Sequence, residues 1–165
     1  DDPLGHLCQW LSLPAWLAEL AHYEWVELAL SLSDEKIDDA DINGDGDLLN
    51  GIPVISPVAW PLSYRFPVHK IGPDYQPCQA GEAQTHLMVF RDADFEIHFI
   101  EVNPITARLL QLIATGEPRS GFALLQQIAS ELNHPQPEIL IGHGWQLLND
   151  LKERGILLGT SRIAI

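Results

Sequence analysis

The residues that come closest to a chemical site lie in one short acidic stretch, DINGDGDLLN, at positions 41–50. Four of its side chains present oxygen atoms at alternate positions: Asp41, Asn43, Asp45 and Asp47. With Gly46 permitting a sharp turn, this spacing reproduces the first half of an EF-hand calcium loop. The twelfth position, which normally supplies a bidentate carboxylate, holds Ile52. Two interpretations stay open: a weak calcium site, and an acidic structural loop that needs no metal.

The histidines and cysteines do not form a recognisable catalytic or zinc motif. His86 and His98 fall on two successive strand-like segments and are expected to lie near one another as solvent-facing side chains. Cys8 and Cys78 are far apart in sequence and belong to no CxxC pair, which favours reduced thiols and a cytoplasmic protein. We therefore expect no catalytic residue, no cofactor and no enzymatic activity.

The charge of the chain is negative and unevenly distributed. The formal net charge is −14, and residues 1–50 contain twelve Asp or Glu against Lys36 alone. The eight Lys and Arg residues of the remainder are scattered rather than clustered. Because proteins bind nucleic acids largely through cations placed at phosphates, this distribution disfavours DNA binding.

The segment from position 49 to 75, LNGIPVISPVAWPLSYRFPVHKIGPDY, combines five prolines with many large apolar side chains. Proline removes a backbone donor and biases the preceding residue to extended geometry, so a helix is excluded here. The apolar content is too high for a solvated linker. The sequence predicts an extended segment, without regular strands, that lies against the protein's own core or against a partner.

The remaining elements predict an α+β fold. Apolar residues at three- and four-residue steps indicate an N-terminal helix from Trp10 to Leu30, begun near Ser12. Segments 85–90 and 94–102 predict a β-hairpin with one apolar face and a polar turn at 92–94. Three helices follow, with start signals at Asn103, Ser120 and Pro137, and then the short returning strand ILLG. The hairpin and three helices resemble a winged-helix unit in order and length.

Two parts are expected along the chain. Residues 1–47 would comprise a helical segment and the acidic loop, and residues 48–165 a winged-helix-like C-terminal domain with its extended lead-in. At 165 residues, and without an apolar run long enough to span a bilayer, the chain is expected to form a protein of ordinary domain size outside the membrane.

Three long motifs resemble a known family. They are GDLLNGIPVISPVAWPLSYRFPVHKIGPDYQP, HLMVFRDADFEIHFIEVNPITARLLQLI and LLNDLKERGILLG. Together they closely resemble the C-terminal part of the HvfC/BufC family, whose members have long been labelled DNA-binding domain proteins. LAELAHYEWVE, at positions 17–27, resembles the last helix of that family's N-terminal helical domain, so residues 1–47 are expected to contain a remnant of that domain.

The resemblance implies a partner role rather than catalysis. Family members, similar to the methanobactin protein MbnC, pair with a TIM-barrel multinuclear iron oxygenase that modifies cysteines of a ribosomally made peptide, and the iron ligands belong to the barrel. The ββααα order is also similar to PqqD-like domains, which bind a leader peptide as an added strand beside a helix. The chain is thus expected to be a non-catalytic chaperone subunit that binds both the enzyme and its Cys-containing substrate peptide.

Two sets of residues are predicted to carry this role. The enzyme-binding set is Trp60, Tyr64, Arg65, Phe66 and His69. The peptide-binding set, taken as the hairpin edge, is Leu87, Met88, Val89 and Phe90. Interdomain packing is the competing explanation for the aromatic rings, because large rings are mostly buried. The alternative function is a winged-helix transcription regulator that reads DNA through residues 120–131 or 137–151.

Overall fold

The computed structural model describes residues 13–35 and 39–162. Four helices are formed in these ranges: α1 (Leu17–Ser31), α2 (Pro104–Thr115), α3 (Gly121–Glu131) and α4 (Pro137–Glu153). Six strands accompany them: β1 (Ile42–Asn43), β2 (Pro53–Ile55), β3 (Ala59–Tyr64), β4 (Thr85–Arg91), β5 (Ile97–Val102) and β6 (Leu157–Ser161). The predicted α+β class is confirmed. No helix of the described ranges is long and apolar enough to cross a lipid bilayer.

The central feature is an antiparallel sheet in the order β3-β4-β5. The predicted hairpin is confirmed as β4 and β5, whose register pairs Met88 with Ile100. The proline-rich segment contributes β3, which pairs with β4 along its whole length. The prediction that this segment contains no regular strand is therefore wrong. Pro61 is tolerated because β3 is an edge strand, where a missing N–H need not interrupt the ladder.

Strand β4 separates two hydrophobic cores. Leu87 and Val89 point towards α1, whereas Met88 and Phe90 point towards the helices α2 to α4. All four are buried, because successive side chains of a strand alternate between two covered faces. The expectation of a hairpin with a single apolar face is thus wrong: the sheet is the middle layer of three.

The three C-terminal helices begin where their capping residues predict. The side chain of Asn103 accepts a hydrogen bond from Thr106 N at 2.8 Å, and Ser120 Oγ accepts from Ala123 N at 3.3 Å. Pro104 and Pro137 occupy first-turn positions, where a missing N–H costs nothing. Gly155 follows the C-terminal end of α4 in a left-handed conformation, with φ +75°, and the chain then enters β6.

Helix α1 covers the other side of the sheet and starts later than predicted. Leu17 N donates to Pro14 O at 3.0 Å, so Pro14 lies in the turn before the helix. Trp10 and Ser12, where the helix was expected to begin, lie outside the described residues. Val26 and Leu30 are fully buried against the sheet, whereas Trp25 and Leu28 are more than half exposed. The helix is therefore apolar on its outward face as well.

A second, smaller sheet has the order β1-β6-β2. The predicted returning strand is confirmed as β6, which lies between two strands from much earlier in the chain. It does not extend the hairpin sheet. The winged-helix-like classification of the hairpin and three helices stays a prediction.

An ion-pair network joins α2 to α3 and gives a testable pH dependence. Arg108 donates to both carboxylate oxygens of Glu131, at 2.7 and 2.9 Å. Arg108, and then Gln127, lower the pKa of Glu131 from 4.5 to about 2. A depressed carboxyl pKa stabilises the fold above the unfolded-state value, and this contribution is lost as pH falls towards the folded-state value.

We expect the Glu131→Gln variant to be less stable than the parent protein at neutral pH. The difference should shrink between pH 4.5 and about 2, the interval bounded by the two pKa values. Urea unfolding of both proteins across this interval measures it. Parallel stability profiles down to pH 2 would show that the network contributes nothing that depends on ionisation of Glu131.

Candidate functional site

The two outer strands of the central sheet differ in the backbone groups that they leave free. Val58 O accepts a hydrogen bond from Arg91 N at 3.0 Å, so Val58 and Arg91 form a hydrogen-bonded pair of the antiparallel ladder. Because hydrogen-bonded pairs alternate along an antiparallel ladder, Trp60, Leu62 and Tyr64 direct their backbone groups to β4. Pro61 and Ser63 then face outwards, and Pro61 has no N–H to offer. The β3 edge is an incomplete template for another strand.

The β5 edge is complete. Asp92 N donates to Glu96 O at 3.0 Å, and the same alternation makes Phe90 and His98 the next hydrogen-bonded pair. Three residues of β5 therefore turn both N–H and C=O away from the sheet: Ile97, Phe99 and Glu101. An unpaired row of this kind is the usual template for adding an extended peptide.

A groove runs beside the β5 edge. It has a volume of about 600 Å³ and lies between β5 and the C-terminal half of α4. Its lining residues from β5 onward are Phe99, Ile100, Glu101, Val102 and Asn103, and those from the helices are Thr106, Leu147, Asp150, Leu151 and Arg154. The groove thus offers apolar side chains with charged groups at its border, next to free backbone donors and acceptors.

The charge at the β5 edge is set by residues of a short 3-10 helix, Val68–Lys70, in the connection between β3 and β4. Lys70 Nζ and His69 Nε2 each lie 3.1 Å from the same carboxylate oxygen of Glu101. Hydrogen bonding to Lys70 holds the pKa of Glu101 below its usual value. Glu101 is therefore ionised at neutral pH, and its side chain leans towards His69 and Lys70.

The predicted peptide-binding residues do not lie at an edge. Leu87, Met88, Val89 and Phe90 are in β4, which is hydrogen-bonded to β3 on one side and to β5 on the other. Their side chains are at most 5% exposed. The prediction that these residues form the free hairpin edge is wrong, because β3 pairs with that side of β4.

The predicted enzyme-binding residues are divided between the interior and the surface. Tyr64 and Phe66 are buried in the core beneath α1, so the competing explanation, internal packing, holds for these two rings. Trp60 is partly buried, and its Nε1 donates to Pro57 O at 3.0 Å. Arg65 is mostly exposed, whereas His69 is largely covered. The five residues do not form one continuous surface.

Tyr64 and Phe66 instead belong to the contacts that hold α1 on the sheet. Glu19 accepts hydrogen bonds from Arg65 Nε at 2.8 Å and from Phe66 N at 3.0 Å. Tyr64 OH lies 2.9 Å from His22 Nδ1. Burial, with the nearby Glu19 carboxylate, raises the pKa of Tyr64 to about 12. The hydroxyl therefore stays protonated and its role is structural.

The acidic loop folds as a set of turns. Asp47 accepts hydrogen bonds from Leu49 N and Asn50 N, and Asn43 accepts one from Asp45 N at 3.2 Å. Among the described residues, no three His, Cys, Asp or Glu side chains converge as a metal-binding group. The calcium interpretation for Asp41, Asn43, Asp45 and Asp47 gains no geometric support, whereas the structural-loop interpretation accounts for the contacts of Asn43 and Asp47.

The remaining histidines and cysteines lie apart. His86 pairs in register with Val102, and His98 with Phe90, so the two imidazoles stand at opposite ends of the hairpin. The prediction that they lie near one another is wrong. Cys78 carries an exposed free thiol, and Cys8 lies outside the described residues.

One prominent feature was not predicted from the sequence, namely the conformation and exposure of Phe95 in the hairpin turn. Phe95 is 75% exposed and has φ +66°, in the left-handed region that bulky residues rarely adopt. The signal in the sequence was the large ring at the end of an otherwise polar turn, Asp92-Ala93-Asp94.

The architecture defines an α+β protein whose central antiparallel sheet is covered on both faces and, among the residues that the structure describes, has one complete strand edge unpaired beside a helix. A family model, the HvfC C-terminal domain, matches residues 56–152, from just before β3 into the end of α4. The chain belongs to this family. A search of curated proteins found no match.

Proposed function

We propose that this protein is a non-catalytic partner subunit that holds a peptide for a separate enzyme. The enzyme would be a multinuclear iron oxygenase that modifies cysteines of a ribosomally made peptide, as the family resemblance implies. Because that resemblance assigns the iron ligands to the barrel enzyme, we assign this chain the binding of peptide and enzyme, and no chemical step.

The observation that carries the proposal is the open β5 edge. Ile97, Phe99 and Glu101 offer paired donors and acceptors over a length that suits a peptide strand of about five residues. The neighbouring groove would receive every second side chain of that strand, and so select its sequence. The incomplete edge at Pro61 favours this side of the sheet over the other.

The charges argue against DNA binding as the main role. Helix α3 contains no Lys or Arg, and α4 contains only Lys152, near its end. Arg108, on the neighbouring helix α2, is already paired with Glu131. A recognition helix with so few cations has little to place at phosphates.

Proline in place of Glu101 tests the strand addition. Glu101 N–H faces outwards, so proline removes a donor that the sheet itself does not use. We expect affinity for the substrate peptide to fall by at least about tenfold, the effect of one lost hydrogen bond and a blocked edge. The Glu101→Ala variant is the matched control, because it removes the same side chain and keeps the N–H.

The measurement is isothermal titration with a synthetic Cys-containing precursor peptide. Circular dichroism checks that both variants keep the native fold. If Glu101→Pro and Glu101→Ala bind the peptide equally well, strand addition at β5 is not the binding mode. A different result would favour the alternative function, a winged-helix transcription regulator. In that case the parent protein would bind duplex DNA in a salt-dependent way and would bind neither the peptide nor the enzyme.

A further inference from the structure

The free edge of β5 lacks the features by which edge strands usually avoid pairing with another chain. Proteins commonly protect such an edge with proline, lysine or a β-bulge. The strand Ile97–Val102 has the sequence IHFIEV and contains no proline or lysine. Its pairing with β4 is continuous, without a register shift. On the opposite edge of the sheet, by contrast, Pro61 has no N–H to offer outwards. The β5 edge is therefore open to a strand of suitable sequence.

A second copy of the same strand meets the backbone requirement. The outward-facing residues are Ile97, Phe99 and Glu101, because hydrogen-bonded pairs with β4 alternate with free positions. Two copies of β5 can run antiparallel about a two-fold axis at Phe99, which places Ile97 of each copy opposite Glu101 of the other. All three residues of each copy then enter hydrogen-bonded pairs. A register shifted by two residues would leave one of them opposite a residue outside β5.

The side chains suit this register as well. The two Glu101 carboxylates lie at opposite ends of the strand pair, each opposite an apolar Ile97, so like charges do not face one another. The two Phe99 rings meet at the axis, and aromatic cross-strand pairs stabilise a sheet. Each ring already packs on Tyr23 of its own chain, with 4.6 Å between ring centres. Because the contact is the same on both copies, it closes as a dimer.

We propose that two copies of this chain pair through their β5 strands into one continuous antiparallel sheet, and that this dimer closes the peptide site. The proposal rests on the proposed function and adds its regulation, since the same backbone groups would bind the peptide. The second copy and the peptide then exclude one another at this edge. Peptide binding becomes weaker as the protein concentration rises, because the dimer must first dissociate.

Backbone hydrogen exchange of the unaltered protein tests the pairing directly. In the monomer the N–H groups of Phe99 and Glu101 face outwards and should exchange rapidly. At a concentration where analytical ultracentrifugation shows a dimer, their exchange should slow by at least about tenfold. The N–H of Ser63, which faces outwards on β3, is the matched control and should exchange equally fast at both concentrations. Unchanged exchange of Phe99 and Glu101 in the dimer would show that the copies meet through another surface.

A charge at position 97 tests the register. Ile97→Glu places a like charge opposite Glu101 of the other copy, whereas Ile97→Lys places an opposite charge there, and both lose the same apolar side chain. Each pair occurs twice in the dimer, so the dissociation constant should be at least about tenfold lower for Ile97→Lys than for Ile97→Glu. Ser63→Lys and Ser63→Glu, on the other outer strand, should have equal constants. Ultracentrifugation measures all four variants, and circular dichroism checks their fold. Equal constants for the two Ile97 variants would overturn the proposal.

Peptide titration separates this proposal from the proposed function. A synthetic Cys-containing precursor peptide should bind with an apparent affinity that falls as the protein concentration rises. If the parent protein stays monomeric up to about 1 mM and binds the peptide, the self-pairing is wrong and the proposed function stands. If the β5 dimer forms and the peptide does not bind at any protein concentration, the proposed function is wrong and the pairing of the two copies stands.

Discussion

Replacing Gly159 by alanine is expected to destabilise the protein by about 3 kcal/mol or more. Gly159 lies in β6 with φ +139°, a conformation that L-residues other than glycine hardly populate. An added Cβ would also meet the backbone carbonyl of Asn43, which a side-chain rotation cannot relieve. The strand cannot move away, because it is paired with β1 on one side and with β2 on the other. Chemical denaturation, followed by tryptophan fluorescence, measures the loss.

Gly155 provides the matched control, since it lies just before the same strand. Its φ is +75°, and an added Cβ would meet no atom within 4 Å. Gly155→Ala should therefore cost only the conformational penalty, about 1 kcal/mol. Equal losses for the two variants would mean that the close approach of Gly159 to Asn43 does not constrain the fold.

The elements that the sequence predicted well depend on local interactions. Asn103 and Ser120 cap helices through bonds to residues three positions further along, so their roles could be inferred from short motifs. The β4–β5 hairpin likewise joins neighbours in the chain. In both cases the information needed lies within a few residues.

The elements that were missed depend on pairing between distant segments. Pro61 suggested an irregular segment, and only the pairing of β3 with β4 shows that the proline lies in an edge strand. In an isolated hairpin, the outer edge of β4 at Leu87–Phe90 would be free. Because β3 pairs with that edge, the candidate peptide site lies on β5 instead. The conformation of Phe95 is local, yet no residue pattern favours a phenylalanine there.

The division of the chain at residues 47 and 48 stays a prediction, and α1 offers a direct test of it. The matched family region begins at residue 56 and excludes this helix. In the structure, however, Leu30 has no exposed surface and packs into the core between α1 and the sheet. Its carbonyl also accepts the hydrogen bond from Arg91. Because of these contacts, we expect α1 to unfold together with the sheet.

We accordingly expect Leu30→Ala to lower the free energy of unfolding by about 2–5 kcal/mol, the usual cost of a cavity in a core. Leu28→Ala is the control on the same helix: Leu28 is 55% exposed, and its removal should change stability by less than about 0.5 kcal/mol. Urea denaturation should show one transition for all three proteins, shifted only for Leu30→Ala. If α1 were an independent segment, Leu30→Ala would leave the main transition unchanged, because the unfolding of the sheet and of α2 to α4 would not depend on α1.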